Sequence, residues 1–344
     1  MKRLLQFGWP FALCLCVGSV IAHRATAAEK SGHSAVTAWP MVDSEVQFIP
    51  NDREYFSCQA WSPDGRGIAC VENGFLAQTG NPTGLKGRNR IWIVDSDAGL
   101  DGTERLLAEM PLPGFVQVMW PPPGNSLYVI RQRVVTAGTK LQGSLYRIRV
   151  SDGKVQEVMK WPSSKVPWGN CFSPDGRRLA LDWGGVLEIV DLSNMKRKVI
   201  YRWRPQGGSG LSWSPDGQMI AFGRNHTISV ISPSGRGLRV VSRSGSHPSW
   251  SPDGRWIVFG RETNSGISPG GAPISPRFHA WVVRPDGTGE HPLAPEIEGE
   301  QMNPVWSPRG DRVFYSRTEY RRGKCPARWF VGSLRVADPQ PDQY

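Results

Sequence analysis

An all-β fold of six four-stranded antiparallel units, closed into a β-propeller, is what this 344-residue sequence predicts. Three observations predict it. First, Trp250-Ser251-Pro252-Asp253-Gly254 recurs as WSPDG at Trp61 and Trp213, FSPDG at Phe172, WSPRG at Trp306 and, more weakly, WPPPG at Trp120. Such recurrence marks a repeat architecture. Second, every copy reads as a tight hairpin. Proline presets φ at the first corner, aspartate forms the turn, glycine accepts a left-handed backbone, and an apolar run such as Ile257-Val258-Phe259 follows. Third, two further strand-like stretches follow each hairpin, except after the last, where only one does. The missing strand is supplied by 36–48, which precedes the first unit with strand-like content. Four short antiparallel strands per unit, six times over, is the propeller pattern, and each unit needs a neighbour to cover its apolar faces.

In chain order, the first unit is predicted at 55–61, 66–72, 90–95 and 104–108, with the Gly/Asn-rich loop 73–89 inside it. The second occupies 115–120, 126–134, 144–150 and 154–159. The third occupies 167–172, 177–182, 186–191 and 197–201, and the fourth 210–213, 218–223, 227–231 and 238–242. The fifth runs 247–250, 255–262, 279–284 and 291–294, with a long Gly/Pro-rich loop at 263–277. The sixth has 303–306, 312–318 and 328–334. Pairing of 36–48 with 328–334 would clasp the ring shut and remove two exposed edges.

Residues 1–28 read as a secretory signal: Lys2 and Arg3, an apolar run over 11–22 too short to span a bilayer, and an A-x-A site at Ala25-Thr26-Ala27. An uncleaved anchor is the alternative. The propeller is then expected over 29–336, with 337–344 as a tail. The whole chain has a formal charge of +11. Loss of Lys2, Arg3 and Arg24 leaves it basic, which favours anionic partners such as acidic glycans or lipid headgroups. No Lys/Arg run with interleaved aromatics suggests nucleic acid. In an oxidising compartment Cys58 and Cys70, placed symmetrically about the first hairpin tip, are expected to pair. Cys171 with Cys325 follows only by elimination.

The WSPDG phrase with a following Ile-Ala-Phe strand, closest at Trp213 and Trp250, resembles the Pro-Asp propeller repeat of the TolB-like family. The Asp-Gly-Thr strings at Asp101 and Asp286 match it as well. The resemblance covers essentially the whole mature chain. It implies an exported propeller that binds an envelope protein, as TolB proteins bind the peptidoglycan-associated lipoprotein. The N-terminal α/β domain of TolB has no counterpart here, because 29–54 is too short to hold it.

Catalytic signatures are sparse. Gly207-Gly208-Ser209-Gly210 resembles a nucleophile elbow but leads into a strand rather than a helix. Asp95, Asp97 and Asp101 lack the spacing and the twelfth-position glutamate of a calcium loop. The candidate ligand- or partner-binding residues are therefore of two kinds. His247 and Asn303, each before a proline, and Gln117 stand three positions before the repeat aromatic, as do Gly169 and Gly210, near one mouth of the channel. Trp168 and the triplet Arg202-Trp203-Arg204, with Trp161 nearby, are exposed-looking aromatic and basic groups of the kind that anchor interfaces. No metal site and no cofactor are expected. The reading is an exported, monomeric, non-enzymatic binding scaffold of the envelope, periplasmic or secreted. Its partner would be an envelope protein or an anionic wall component, and no transmembrane span is expected. The alternatives are a propeller-type lyase or hydrolase acting on a sugar acid or lactone at the channel mouth, and a regulatory domain serving a separate enzyme.

Overall fold

The computed structural model describes residues 39–47, 56–72, 88–98, 104–111, 115–136, 140–161, 167–204, 210–263, 266–267, 273–274, 277–295, 297, 300–318 and 327–337. The expected signal segment and most of the loop 73–89 lie outside these. Strand β1 (Trp39–Gln47) comes first. Blade 1 holds β2 (Phe56–Trp61), β3 (Gly67–Glu72), β4 (Arg88–Asp95) and β5 (Arg105–Pro111). Blade 2 holds β6 (Phe115–Met119), β7 (Ser126–Thr136), β8 (Lys140–Arg149) and β9 (Val155–Trp161). Blade 3 holds β10 (Gly169–Phe172), β11 (Arg178–Asp182), β12 (Val186–Asp191) and β13 (Arg197–Arg202). Blade 4 holds β14 (Leu211–Trp213), β15 (Ile220–Arg224), β16 (Thr227–Ile231) and β17 (Arg239–Ser242). Blade 5 holds β18 (Ser246–Trp250) and β19 (Ile257–Thr263), then the short pair β20 (Gly266–Ile267) and β21 (Pro273–Ile274), then β22 (Arg277–Val283) and β23 (His291–Pro292). Blade 6 holds β24 (Glu300–Trp306), β25 (Arg312–Thr318) and β26 (Ala327–Ala337).

Each blade is one four-stranded antiparallel sheet, and the sixth is completed by β1 in the order β1-β26-β25-β24. The molecule is a six-bladed propeller, and the expected clasp is present: Val42 faces Leu334 and Gln47 faces Phe330 across the closing pair. A small hairpin, β20–β21, stands within the long Gly/Pro-rich loop predicted at 263–277 in blade 5.

The core is divided among the blade junctions. One buried apolar cluster lies between each pair of neighbours, such as Ile130, Leu145 and Trp161 against Leu179, Leu181 and Val190 at the second junction. Another joins Phe314 and Val331 of the last blade to Trp61 and Ile68 of the first. The repeat tryptophans Trp61, Trp213, Trp250 and Trp306 are buried in these junctions, so each blade is stable only with its neighbours in place.

The repeated hairpin is a hydrogen-bonded unit. Ser62 Oγ donates to Asp64 Oδ1 at 2.6 Å and accepts from Gly67 N, while Asp64 also accepts from Arg66 N. The same bonds recur around Ser173, Ser214 and Ser251. Blade 6 has Arg309 in place of the aspartate, and Asp311 takes over as acceptor for Ser307. These hairpins touch in a ring. A Cβ added at Gly310 would stand 3.1 Å from Pro252 of the preceding blade, and one at Gly124 3.4 Å from Pro63. At the closing junction Arg309 lies over Gly65 and donates to its carbonyl at 2.9 Å. The arginine that replaces the turn aspartate therefore lies where the ring joins itself.

Candidate functional site

Strand direction sorts the loops. Every WSPDG turn joins the first and second strands of a blade, so all six lie on one face, here the turn face. The starts of the innermost strands, the turns between second and third strands, and the connections between blades gather on the opposite mouth face. Every binding candidate among the predicted residues falls on that face.

The position three residues before the repeat aromatic carries Gln117, Gly169, Gly210, His247 and Asn303, and in blade 1 Cys58. Gly210, His247 and Asn303 have left-handed backbones, with φ of 91°, 53° and 53°. The strand pairing shifts register there in blades 5 and 6. A bulge of this kind re-aims the side chain it carries, and both His247 and Asn303 are exposed. The glycines have a packing reason: a Cβ on Gly210 would stand 2.6 Å from His247 Cα, and one on Gly169 3.2 Å from Gly210 N. Blades 3, 4 and 5 thus approach backbone to backbone at the mouth. On the other side, Asn170 Nδ2 donates to Gln117 Oε1 at 2.7 Å across the blade 2–3 junction.

His247 Nδ1 lies 3.1 Å from Ser246 Oγ. His247 is exposed at the mouth, and desolvation by the strands around it lowers its pKa to about 4. It is neutral at ordinary pH. One layer deeper the inner strands are bound to each other. Ser212 Oγ accepts from Trp250 N at 3.0 Å, Ser249 Oγ accepts from Trp306 N at 3.2 Å, and the Cys171 thiol accepts from Trp213 N. Cys171 thus stands where the next two blades have serine, and its burial raises the thiol pKa. Cys325 lies outside the described residues. Cys58 faces Cys70 directly across β2–β3, while the Cys58 side chain is outside the described residues.

The second group surrounds the tip of blade 3. Asp182 ends β11, and its Oδ1 accepts from Gly184 N at 2.8 Å, fixing the turn Trp183-Gly184-Gly185. The Asp182 carboxyl is 1% exposed and its Oδ2 has no partner among the described residues. Burial raises its pKa to about 6. Trp168 N donates to Asp182 O, which brings the indole over the turn. A Cβ on Gly184 would meet three atoms of the six-membered ring of Trp168 at 3.0–3.3 Å, so one indole face rests on the glycine. The residue is nevertheless 50% exposed. On the other side of the turn Trp203 N donates to Gly185 O and Arg202 pairs with Val186. Trp203 is half-buried, stacked on Tyr201 at 5.7 Å and packed on Phe222. Arg202 and Arg204 are exposed, and neither has a carboxylate partner among the described residues. The nearest acids are already used: Asp182 holds the turn, and Glu188 takes Arg197 and the Trp183 N–H.

Two sequence expectations change. Trp161 is 1% exposed, buried against Trp183 and Gly143 rather than on the surface. Trp203 serves the core by its ring, leaving Arg202 and Arg204 as the exposed members of the triplet. Sequence reasoning missed Asp182, whose signal was an aspartate where other blades carry Val71, Ile130, Gly223, Gly260 and Ser316. Asp95 forms an ordinary turn, accepting from Asp97 N and Ala98 N. Among the described residues no three His, Cys, Asp or Glu side chains group to hold a metal ion, and no helix is long and apolar enough to cross a membrane.

No family model matches the chain, and no curated protein does. Solved structures do. A protein assigned as TolB from Agrobacterium tumefaciens is 18% identical, over 82% of this chain and 91% of that one, with a TM-score of 0.51. A chain of a mitotic checkpoint complex is 15% identical over 93% and 99%, with a TM-score of 0.53. An oligogalacturonate lyase in complex with manganese is 16% identical over 86% and 95%, with a TM-score of 0.48. At these identities the likeness shows the fold alone. The chain has a TolB-like propeller fold.

Proposed function

We propose that the protein is an exported, non-enzymatic binding scaffold of the cell envelope, and that it engages an envelope protein or an anionic wall component through its mouth face. The observation that carries this reading is the contrast between that face and the other. The mouth face presents exposed Trp168 and, across the tip of the same blade, exposed Arg202 and Arg204, neither with a carboxylate partner among the described residues. Tryptophan and arginine are the residue types that most often dominate binding energy, and surface loops on a rigid scaffold usually carry recognition. The Cys58–Cys70 bridge belongs to the same reading, because their strand register suits it and an exported chain meets an oxidising compartment.

The test is capture from envelope extract by the mature chain, repeated with Trp168→Ala/Arg202→Ser/Arg204→Ser and with the turn-face variant Asp152→Ser. A specific partner held by the parent and by the turn-face variant but released by the mouth-face variant supports the scaffold. Loss with both variants or with neither counts against it. Stoichiometric manganese or calcium at the axis together with turnover of a sugar acid would replace it with an enzyme reading.

A further inference from the structure

The ledge at the tip of blade 3 has a shape and a charge that together narrow the ligand. Its floor is the Gly184–Gly185 turn, which bears no side chains. The Gly184 N–H already serves Asp182 and the Gly185 carbonyl already serves Trp203. The floor therefore offers no backbone ladder for an incoming peptide. The ledge also lies across strand ends, not along a sheet edge, so strand addition, the usual way an extended peptide gains affinity, has no template here. Nor is there an apolar pocket for a side-chain anchor, because Trp203 fills the space beside the turn with its own ring against Tyr201 and Phe222.

The ledge does offer a flat aromatic surface and two guanidinium groups. The Trp168 indole is fixed by one face on Gly184, and the residue remains 50% exposed. A planar π-face held in this way suits a pyranose, whose axial C–H bonds carry partial positive charge toward the ring's negative face. Arg202 stands at the end of the outermost strand of the same blade, while Trp168 stands at the start of the innermost. Three strand spacings separate these strands, roughly 14 Å. Arg204 lies two residues further along the chain. A guanidinium fork matches a carboxylate bidentately, and no described carboxylate occupies either fork. A ligand meeting both ends must extend beyond one ring and carry negative charge away from the stacked one.

We propose that this ledge binds an acidic oligosaccharide: one sugar stacks on Trp168, and carboxylates of neighbouring sugars are taken by Arg202 and Arg204. The inference deepens the scaffold reading and rests on it. Asp182 is a positioning residue in this site. Its carboxylate fixes the turn under the indole and does not face the ligand.

The experiment is calorimetric titration of the mature chain with three probes: a hexamer of a uronic acid, the matching neutral hexamer, and hexaglutamate. The uronate is expected to bind with salt-dependent affinity, with the neutral hexamer at least about tenfold weaker. Trp168→Ala should weaken the uronate by about tenfold, while Trp168→Phe, which keeps a flat ring, should stay within about threefold. Arg202→Ser/Arg204→Ser should remove most of the salt dependence. Melting curves of Trp168→Phe and of the arginine variant should overlay that of the parent, while Trp168→Ala, which gives up the contact with Gly184, should melt slightly lower. Absence of uronate binding, hexaglutamate binding as tightly as the uronate, or an unaffected Trp168→Ala would overturn the proposal. A captured protein partner that is lost with the mouth-face variant, in a chain that ignores the uronate, would sink this inference and leave the scaffold standing.

Discussion

On the turn face, Asp64, Asp175 and Asp216 each accept a serine hydroxyl and a backbone N–H, and those bonds hold their pKa values below the usual aspartate range. On the mouth face Asp182 has the opposite fate: it is buried, one oxygen lacks a partner, and its pKa rises to about 6. The same side chain is a hydrogen-bonded staple at one end of the ring and a buried support at the other. The turn face repeats one solution in four of the blades, and its hairpins contact each other around the circle. The mouth face varies from blade to blade, with left-handed His247 and Asn303, the Gly184–Gly185 floor, and exposed Arg202 and Arg204, which have no carboxylate partner among the described residues. Selection for closure explains the first pattern.

The comparison breaks most visibly if the closing junction is not the structural weak point. Glu45, on the clasp strand, accepts from Tyr315 Oη at 2.5 Å and pairs with Arg317 of blade 6. Both members of the pair are largely shielded, with side chains 14% and 20% exposed. Glu45→Ala removes the carboxylate that Arg317 and Tyr315 share and should cost about 3 kcal/mol, read as a large drop in the urea midpoint. Binding at the mouth face, measured below that midpoint, should be unchanged.

The turn hairpins come next. Ser251→Ala removes the donor to Asp253 and leaves Trp256 N, a buried N–H, without its acceptor. The expected loss is about 2 kcal/mol. Ser307→Ala should cost less, because Arg312 N sits farther from Ser307 Oγ, at 3.2 Å. Equal losses at the two sites would show that the hairpins are not the graded staples described here.

These structural features were legible in the sequence, and for a physical reason. A Pro-Asp-Gly turn has few alternatives, and a tryptophan before it must be buried, so the six units, their order and the clasp all followed from local chemistry. The small hairpin β20–β21 was not visible, because four residues cannot carry a period. The mouth face was legible only as a set of candidates. His247, Asn303 and Gln117 were found by their common offset from the repeat aromatic. Trp161 and Trp203 were misplaced because indole at a strand end reads alike whether it faces solvent or the next blade. Asp182 escaped notice because its importance comes from burial, which one residue's identity does not disclose.

Asp182 also gives a pH test of the contrast. Its folded pKa, about 6, lies above the ~3.9 of an unfolded aspartate. Between those values the folded chain holds a proton that the unfolded chain does not, so this residue makes stability fall as pH rises through that window. Asp182→Asn should remove that slope and melt higher than the parent at pH 7.5. The gain should be only about 1 kcal/mol, because the new amide nitrogen inherits a site without a partner. The turn aspartates act with the opposite sign: their lowered pKa values add stability that is lost as pH falls. Asp216→Asn should therefore melt lower than the parent at neutral pH, a deficit that closes in acid, whereas the advantage of Asp182→Asn at neutral pH disappears there. Parallel pH profiles for the two variants would show that the faces do not differ in this respect.

The smallest effect is the most specific to the mouth. His247 and Asn303 hold left-handed backbones that a side chain occupies at a cost of roughly 1 kcal/mol, and glycine does not incur that cost. Blade 4 already has Gly210 at this position. Were His247 and Asn303 there only to complete the fold, glycine would serve as well in blades 5 and 6. His247→Gly/Asn303→Gly should accordingly leave melting unchanged or raise it slightly, while weakening capture of any partner that reaches the axis. A double variant that melts markedly lower would instead assign both side chains to the fold, and the mouth would then be distinguished only by the ledge on blade 3.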